Sequence, residues 1–340
     1  MITTNSLLRI DTYEDHDLAY LINSPDRYEI SREVSKFLLD IKINPVSVEA
    51  YEEYDLNISM HAKDSLLQHK LVLDSASIQA IESQAKFFNL ESYNWRLASD
   101  YLERTRNYKF FNYAFDGWKK DAGMMADYLK EEAEISRSKI YEKVSYVPWK
   151  YTPAEALAVT ERLAELNTLD FSFNSVVATF GKQRTKSLSQ GEPVFQKSIP
   201  SGGSRHPTEA YVVDVVKKEI YHYCCEKNAF GKISVRNSDI YTCCFGEPEV
   251  YVPFKVRHVV LLTCVWERNM FRYREPRTFR SVHLDAGHAA CNVEVLCQKA
   301  RVRYKVQYGM NSKVLEGLLN IDPFVEGIMC AVMIGGRKNK

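Results

Sequence analysis

The ten residues from Val256 to Val265, VRHVVLLTCV, are an almost unbroken run of β-branched and apolar side chains. Such a run is expected of a central strand buried within a sheet. Upstream, Glu209 to Val216 and Ile220 to Cys224 read as two further strands, joined by the charged turn Lys217-Lys218-Glu219. Helical signals surround these strands. Pro153 to Leu166 is dense in helix formers and carries Pro at a natural first-turn position. Asp285 is placed to cap a helix from Ala286 to Ala300, with Ala286, Ala290, Val293 and Leu296 on one face. Asn311 or Ser312 opens a short helix through Leu319, and Ile328 to Ile334 reads as a last strand. There are too few strand–helix–strand crossovers for a doubly wound sheet, so the expected class is α+β.

The first 150 residues carry a different, mainly helical pattern. Ser31 to Asp40 places Val34, Phe37 and Leu38 at helical spacing, and Pro45 closes the segment that follows. Lys63 to Asp74 and Ser75 to Leu90 continue the pattern, which is compatible with a winged-helix-like module. Tyr108 to Met125 is rich in aromatic residues, expected in a core or domain contact, with peptide binding as the alternative. Lys130 to Lys143 reads as a charged helix with one solvated face. Pro148 and Pro153 mark the expected boundary. The chain of 340 residues then divides into a helical domain, 1–150, and a second domain, 151–340.

Composition narrows the function classes. A net charge of +1 offers no argument for nucleic acid or an anionic membrane surface as partner. No basic, then apolar, segment opens the chain and no apolar run is long enough to span a bilayer, so a cytoplasmic protein is expected. The eight cysteines include the adjacent pairs Cys224-Cys225 and Cys243-Cys244 but no C-x-x-C, which suits free thiols in a reducing compartment. A zinc site of Cys224, Cys243 and a histidine is the lesser alternative, and no metal is expected.

The chemistry concentrates in PSGGSRHPTEAY, Pro200 to Tyr211. Two glycines let the backbone approach a flat or anionic ligand, while Ser201, Ser204, Arg205 and His206 crowd donors at the same point. Phe271 to Arg280, FRYREPRTFR, holds four arginines, suited to a phosphate or a peptide carboxylate, or simply to solvent. In His283-Leu284-Asp285-Ala286-Gly287-His288, small residues at a helix start favour close approach of a ligand or tight packing. Gly335-Gly336-Arg337-Lys338 at a strand end suits a phosphate or is a basic tail. No Walker loop, dinucleotide fingerprint or nucleophile elbow is present.

Taken together, PSGGSRHPTEAYVV, IYHYC, RYREPRTFRSVHLDAGH and the segment from Gly309 to Gly336 resemble the flavin-dependent nitroreductase superfamily. The branch they are most similar to is the SagB-type dehydrogenases of peptide maturation. The resemblance covers roughly residues 165 to 337 and implies a homodimerising α+β fold with FMN between protomers. It implies flavin contacts from Pro200, Ser201, Gly202, Ser204 and Arg205, further contacts near Tyr308-Gly309, and Arg337 at the phosphate. It also implies oxidation of thiazolines or oxazolines to thiazoles or oxazoles in a ribosomally made precursor peptide, beside a cyclodehydratase complex. The family's Lys-Tyr pair is matched by Arg272-Tyr273-Arg274, so Tyr273 is the expected proton-transfer group with Arg272 or Arg274 assisting. The family's Arg-x-Ser-x-Arg phosphate motif is absent before Phe171; only Arg162, or Arg184 further on, stands in. The departures leave room for a flavin-free scaffold or peptide-binding subunit, or for a flavin oxidoreductase acting on another modified residue. The helical N-terminal domain corresponds, by analogy, to a leader-peptide-binding module.

Overall fold

The VRHVVLLTCV run is the middle of the structure. In the computed structural model, His258–Val265 is a strand (β12) whose side chains from Val259 to Cys264 are wholly inaccessible. The structure describes residues 1–5, 7–21, 24, 26–53, 59–74, 95–106, 111–131, 136–166, 168–187, 193–233, 244 and 252–337. Two compact units emerge, Met1–Lys109 and Phe110–Lys340. The expected boundary at Pro148 and Pro153 thus lies inside the second unit.

In the first unit, β1 (Thr3–Thr4), β2 (Leu8–Thr12), β3 (Asp17–Leu21) and β4 (Tyr28–Ile30) precede α1 (Arg32–Ile43), α2 (Val48–Glu53) and α3 (Met60–Gln68). Then come β5 (Val72–Leu73) and α4 (Arg96–Arg106). Ser31 caps α1 by accepting from Val34 N, as its sequence position suggests. The antiparallel sheet β2-β3-β4 was not expected from sequence. The helix expected from Lys63 to Asp74 stops at Gln68, because Lys70 adopts a left-handed φ of 58° and β5 pairs with β1. The core joins Phe37, Leu38 and Ile41 of α1 to Leu8, Ala19, Leu66 and Val72. The helix expected from Ser75 to Leu90 lies outside the described residues.

The second unit opens with α5 (Gly117–Glu131) and β6 (Tyr146–Pro148), then the helical pair α6 (Pro153–Leu166) and α7 (Thr168–Phe180). β7 (Arg184–Ser187) and β8 (Pro193–Gln196) form a small hairpin before β9 (Thr208–Asp214), β10 (Glu219–Cys224) and β11 (Ala229–Ile233). After β12 come α8 (Glu267–Met270), α9 (Phe279–Lys299), β13 (Val302–Gln307), α10 (Ser312–Leu319) and β14 (Glu326–Arg337). The main sheet has seven strands in the order β13-β14-β12-β9-β10-β11-β6, each neighbouring pair antiparallel. The fold is therefore α+β.

Strand alternation sends Ala210, Val212, Val260 and Leu262 into a core with α6, α7 and α9. Their neighbours Tyr211, Val213, Val259 and Leu261 pack on the other face against Leu315 and Leu319 of α10. Burying each such side chain contributes about 1.5–3 kcal/mol, so both faces of the central strands anchor the unit.

Four local expectations change. The helix expected to start at Ala286 begins at Phe279, because Pro276–Thr278 forms a 3-10 turn, capped by Glu275, that leads directly into it. Asp285 is consequently an interior helical residue, not a cap, and the His283–His288 segment offers no free helix start. The aromatic stretch is not core: Phe115 and Trp118 are exposed, while Tyr108 and Phe110 lie outside the described residues. Of the charged helix expected from Lys130 to Lys143, residues 130–131 lie in α5, residues 132–135 lie outside the described residues, and residues 136–143 are irregular chain. Gly335 and Gly336 belong to β14 itself; a Cβ on Gly335 would come within 2.5 Å of the Phe254 ring.

Candidate functional site

The loop between β8 and β9 turns so tightly that three of its four residues from Gly203 to His206 need left-handed backbone angles. Gly203, Ser204 and His206 have φ of 60°, 56° and 48°. Only glycine adopts such angles freely, so the two non-glycine residues require local bonds to hold them. Ser201 Oγ supplies one, accepting from His206 N at 2.8 Å and donating to Asp285 Oδ2 at 2.6 Å. Two motifs that the sequence presents 84 residues apart are thereby one unit. Burial raises the Asp285 carboxyl above its usual range, and the bond from Ser201 only partly offsets it.

Tyr273 meets the same loop. Its hydroxyl lies 2.6 Å from where a Cβ on Gly203 would stand, so glycine is needed there for space as well as for φ. Gly202 is open, with Ser281 Cβ, at 3.9 Å, the nearest atom to its Cβ position. A flat ligand can thus approach bare backbone beside a phenol, and Arg137, Arg205 and Arg268 line a narrow cleft with Ser204 and His206. His206 is buried, and that burial, with Lys197 and Arg268 nearby, pushes its imidazole down to about 3. It is neutral at physiological pH.

Arg272 and Arg274 turn elsewhere. Arg272 Nη2 grips both oxygens of Asp121 on α5, at 2.6 and 2.7 Å, and its guanidinium lies 5.0 Å from the Tyr273 ring centre. Arg274 stacks 3.8 Å above the Tyr128 ring. Of the three residues expected to act on a proton, Tyr273 alone faces the loop.

A buried polar cluster, missed from sequence, lies on the opposite sheet face from α9. Arg268, 3% exposed, donates to Glu209 Oε1 at 2.5 Å, to the carbonyl of His206 at 3.1 Å and to that of Ser136 at 2.9 Å. His222 Nε2 meets Glu209 Oε2 at 3.0 Å, and its Nδ1 meets the Tyr146 hydroxyl at 2.8 Å. Lys139 Nζ donates to Glu326 Oε2 at 2.5 Å and to the Tyr211 hydroxyl at 3.0 Å. Thr263 and Tyr211 donate to the other Glu326 oxygen. Burial opposes the charge on Glu209, yet the Arg268 guanidinium and the His222 bond outweigh it and hold that carboxyl well below the usual range. A carboxylate inside a buried strand, as in PTEAY, is the signal that could have revealed this cluster, because such a charge demands a cation. The cluster pins the loop from below through the His206 carbonyl, as Asp285 pins it through Ser201.

Beside Tyr273 opens a cavity of about 900 Å³, walled by Trp266, Phe271, Phe279, Val282 and Phe324 and bordered by Asn269 and Glu275. Its size is that of a small-molecule or short-peptide site.

The remaining expected contacts stand apart. Arg337 closes β14 at the end opposite Glu326, and Glu326 pairs with Val265 near the loop. Eleven residues of strand separate Glu326 from Arg337, roughly 36 Å at 3.3 Å per residue. Tyr308, 75% exposed, and Gly309 follow edge strand β13, three strands from β9. Within one protomer these residues do not join the loop. Arg162 is exposed on α6, and Arg184 bonds Gln196 in the β7–β8 hairpin. Cys224 is buried against Ser138 Oγ at 3.4 Å, and Cys243 lies outside the described residues.

No protein-family profile matches the chain. It is 26% identical over 245 residues to the trifolitoxin-processing protein TfxB of Rhizobium leguminosarum bv. trifolii, covering 65% of each chain. The chain thus spans just under two thirds of that relative's length. Among solved structures it is similar to a nitroreductase-like protein of Anabaena variabilis, at 22% identity and a TM-score of 0.47, covering 63% of this chain and 46% of that one. It is also similar to a chain of the E. coli microcin synthetase McbBCD complex with truncated pro-MccB17 bound, at 13% identity and a TM-score of 0.40. That match covers 87% of this chain and 100% of the other. Among the described residues, no helix is long and apolar enough to cross a membrane.

Proposed function

We propose that this chain is an FMN-dependent oxidoreductase of the SagB type, oxidising a thiazoline or oxazoline in a ribosomally made peptide to the thiazole or oxazole. The observation that carries the reading is the Tyr273 hydroxyl packed on Gly203, where a Cβ would collide with it, beside the open backbone of Gly202. Pro200, Ser201, Gly202, Ser204 and Arg205 are the residues that would hold the flavin ring side. A relative named for processing trifolitoxin supports a peptide as substrate. When bound, the flavin supplies the acceptor for the hydride leaving the azoline ring. Tyr273 Oη, entering the step as phenolate, would take the accompanying proton and become the phenol, so the ring loses one hydride and one proton. Asp285 and Arg268 keep the loop in register for that transfer.

Arg337 enters this reading only through a dimer. The loop and Arg337 sit at opposite ends of the sheet, so both serve one flavin only if they come from different protomers of a homodimer. A cyclodehydratase acting on the same cytoplasmic precursor is the implied partner, since it would supply the azoline. The visible spectrum of the purified protein tests the assignment. Yellow protein releasing FMN is expected, and a colourless protein that takes up no FMN overturns it. The second reading is a flavin-free peptide-binding subunit, favoured by the pairing of the Arg272 guanidinium with the Asp121 carboxylate. Under it, Tyr273→Phe would keep full biological activity.

A further inference from the structure

Tyr273 stands in irregular chain, after α8 and before the 3-10 turn at Pro276–Thr278. Its backbone N–H donates to Asn269 O at 2.9 Å, but rotation about the soft dihedrals of residues 272–274 would still swing its ring away from Gly203. Helix α5 opposes that swing. Its buried positions, among the described residues, are Gly117, Asp121 and Met125, four apart, and half-buried Tyr128 continues the stripe. From this one stripe Asp121 grips Arg272 through both carboxylate oxygens, and Tyr128 lies beneath the Arg274 guanidinium. Tyr128 also meets Phe271 edge-on, with ring centres 6.4 Å apart. A single helix face thus holds the residues on both sides of Tyr273. A carboxylate in the middle of a packing stripe is a costly choice, since an apolar side chain of similar volume would pack there without desolvating a charge.

Resting on the function proposed above, we infer that Asp121 and Tyr128 are positioning residues, which act through Arg272 and Arg274 to keep the Tyr273 hydroxyl against Gly203. The two holds lie about two helical turns apart, roughly 10 Å, and two separated holds resist rotation where one would act as a pivot. The Arg272 guanidinium, fixed by Asp121, stays 5.0 Å from the Tyr273 ring centre and adds a cation–π contact to the ring. On the other side Gly203 sets the limit, with its Cβ position 2.6 Å from the hydroxyl. The ring is therefore confined between the loop and the two arginines that α5 holds. Neither Asp121 nor Tyr128 lines the cavity beside Tyr273 or the arginine cleft, so both act at one remove from any ligand. The pairing that turns Arg272 away from the loop is what keeps Tyr273 turned toward it.

The test uses the full chain with Asp121→Leu, with Tyr128→Leu, and with Asp121→Leu joined to Arg272→Met. The double change replaces the buried pair by apolar side chains, so its Tm should hold or rise. Its kcat for azoline oxidation should nevertheless fall about 10²-fold, the loss expected for a misplacement on the order of 1 Å. KM and FMN uptake should stay within about twofold, since neither the loop nor the cavity wall is changed. Tyr128→Leu, which removes one hold of the two, should lose about tenfold in kcat. A pair with a structural role alone, so replaced, would keep kcat along with Tm. Independently of turnover, 3-fluorotyrosine in place of Tyr273 reports the ring by fluorine NMR. One line is expected in the otherwise wild-type chain, and a broadened or second line in the double variant. In an active enzyme, an unchanged kcat or an unchanged fluorine line in the double variant overturns the inference. So does a loss of FMN uptake that matches the loss of kcat. If wild type binds no flavin and oxidises no azoline, yet the fluorine line still splits in the double variant, the hold on Tyr273 stands and the oxidation reading falls.

Discussion

At the residue scale, Gly203 and Tyr273 are coupled by space. Gly203→Ala would place a methyl 2.6 Å from the Tyr273 hydroxyl at a φ of 60°, so about 1–2 kcal/mol of stability should be lost, measured by urea unfolding. Flavin uptake should fall with it. Tyr273→Phe should instead keep the fold and the flavin while abolishing ring oxidation, followed by thiazole absorbance. Arg268→Met leaves buried Glu209 without its guanidinium partner, at a cost of about 3–5 kcal/mol, and a Glu209→Leu second change should restore part of it. His206 and His258 are both buried and held neutral, lowered by burial to about 3 and about 4. The unfolded chain takes protons at these sites below about pH 6.5, and the folded chain does so only much lower. Their contribution to stability is therefore intact above pH 6.5 and is lost as pH falls toward 4. The urea midpoint should drop across that window, less steeply in His258→Gln.

Among elements, the strands β9, β10, β12 and β14 are legible in sequence, whereas the sheet β2-β3-β4 and the loop's supports are not. VRHVVLLTCV and the Glu209–Cys224 hairpin could be read because β-branched runs and charged turns are local signals. The start of α9 is masked in sequence because Asp285 looks like a cap, while Glu275 and Pro276 lead into the true beginning at Phe279, seven residues before Ala286. Residues 136–143 were read as a solvated helix, yet Lys139 is mostly buried and its chain segment feeds Ser136 O to Arg268. Long-range ion pairs leave no periodic trace, so nothing in the 136–143 segment itself shows that Lys139 pairs with Glu326. The start of β14 carries a prediction of its own. A Cβ on Gly327 would overlap the Trp266 ring, which donates to Pro323 O at 2.8 Å. Gly327→Ala should displace Trp266 from the cavity wall, cost about 1–3 kcal/mol, and shift the tryptophan emission.

For the whole molecule, the sheet is the ruler. Because the loop and Arg337 lie at its opposite ends, a flavin touching both requires two chains. Co-expressing Arg337→Glu with Gly203→Ala chains should then give mixed dimers with one intact site, recovering about a quarter of wild-type flavin where either variant alone binds none. No recovery would place Arg337 outside the flavin site. By itself the sequence determined the α+β class, the central strand and the loop, since burial patterns and glycine geometry are written in neighbouring residues. It also held both halves of the Ser201–Asp285 contact, as separate motifs. Only the tertiary structure decided that Tyr273, rather than its arginine neighbours, faces the loop, that Glu209 and Arg268 support it, and that Asp121 of α5 grips Arg272. Those outcomes depend on which side chains distant segments bring within about 3 Å of each other, a distance at which hydrogen bonds form and which no local pattern encodes.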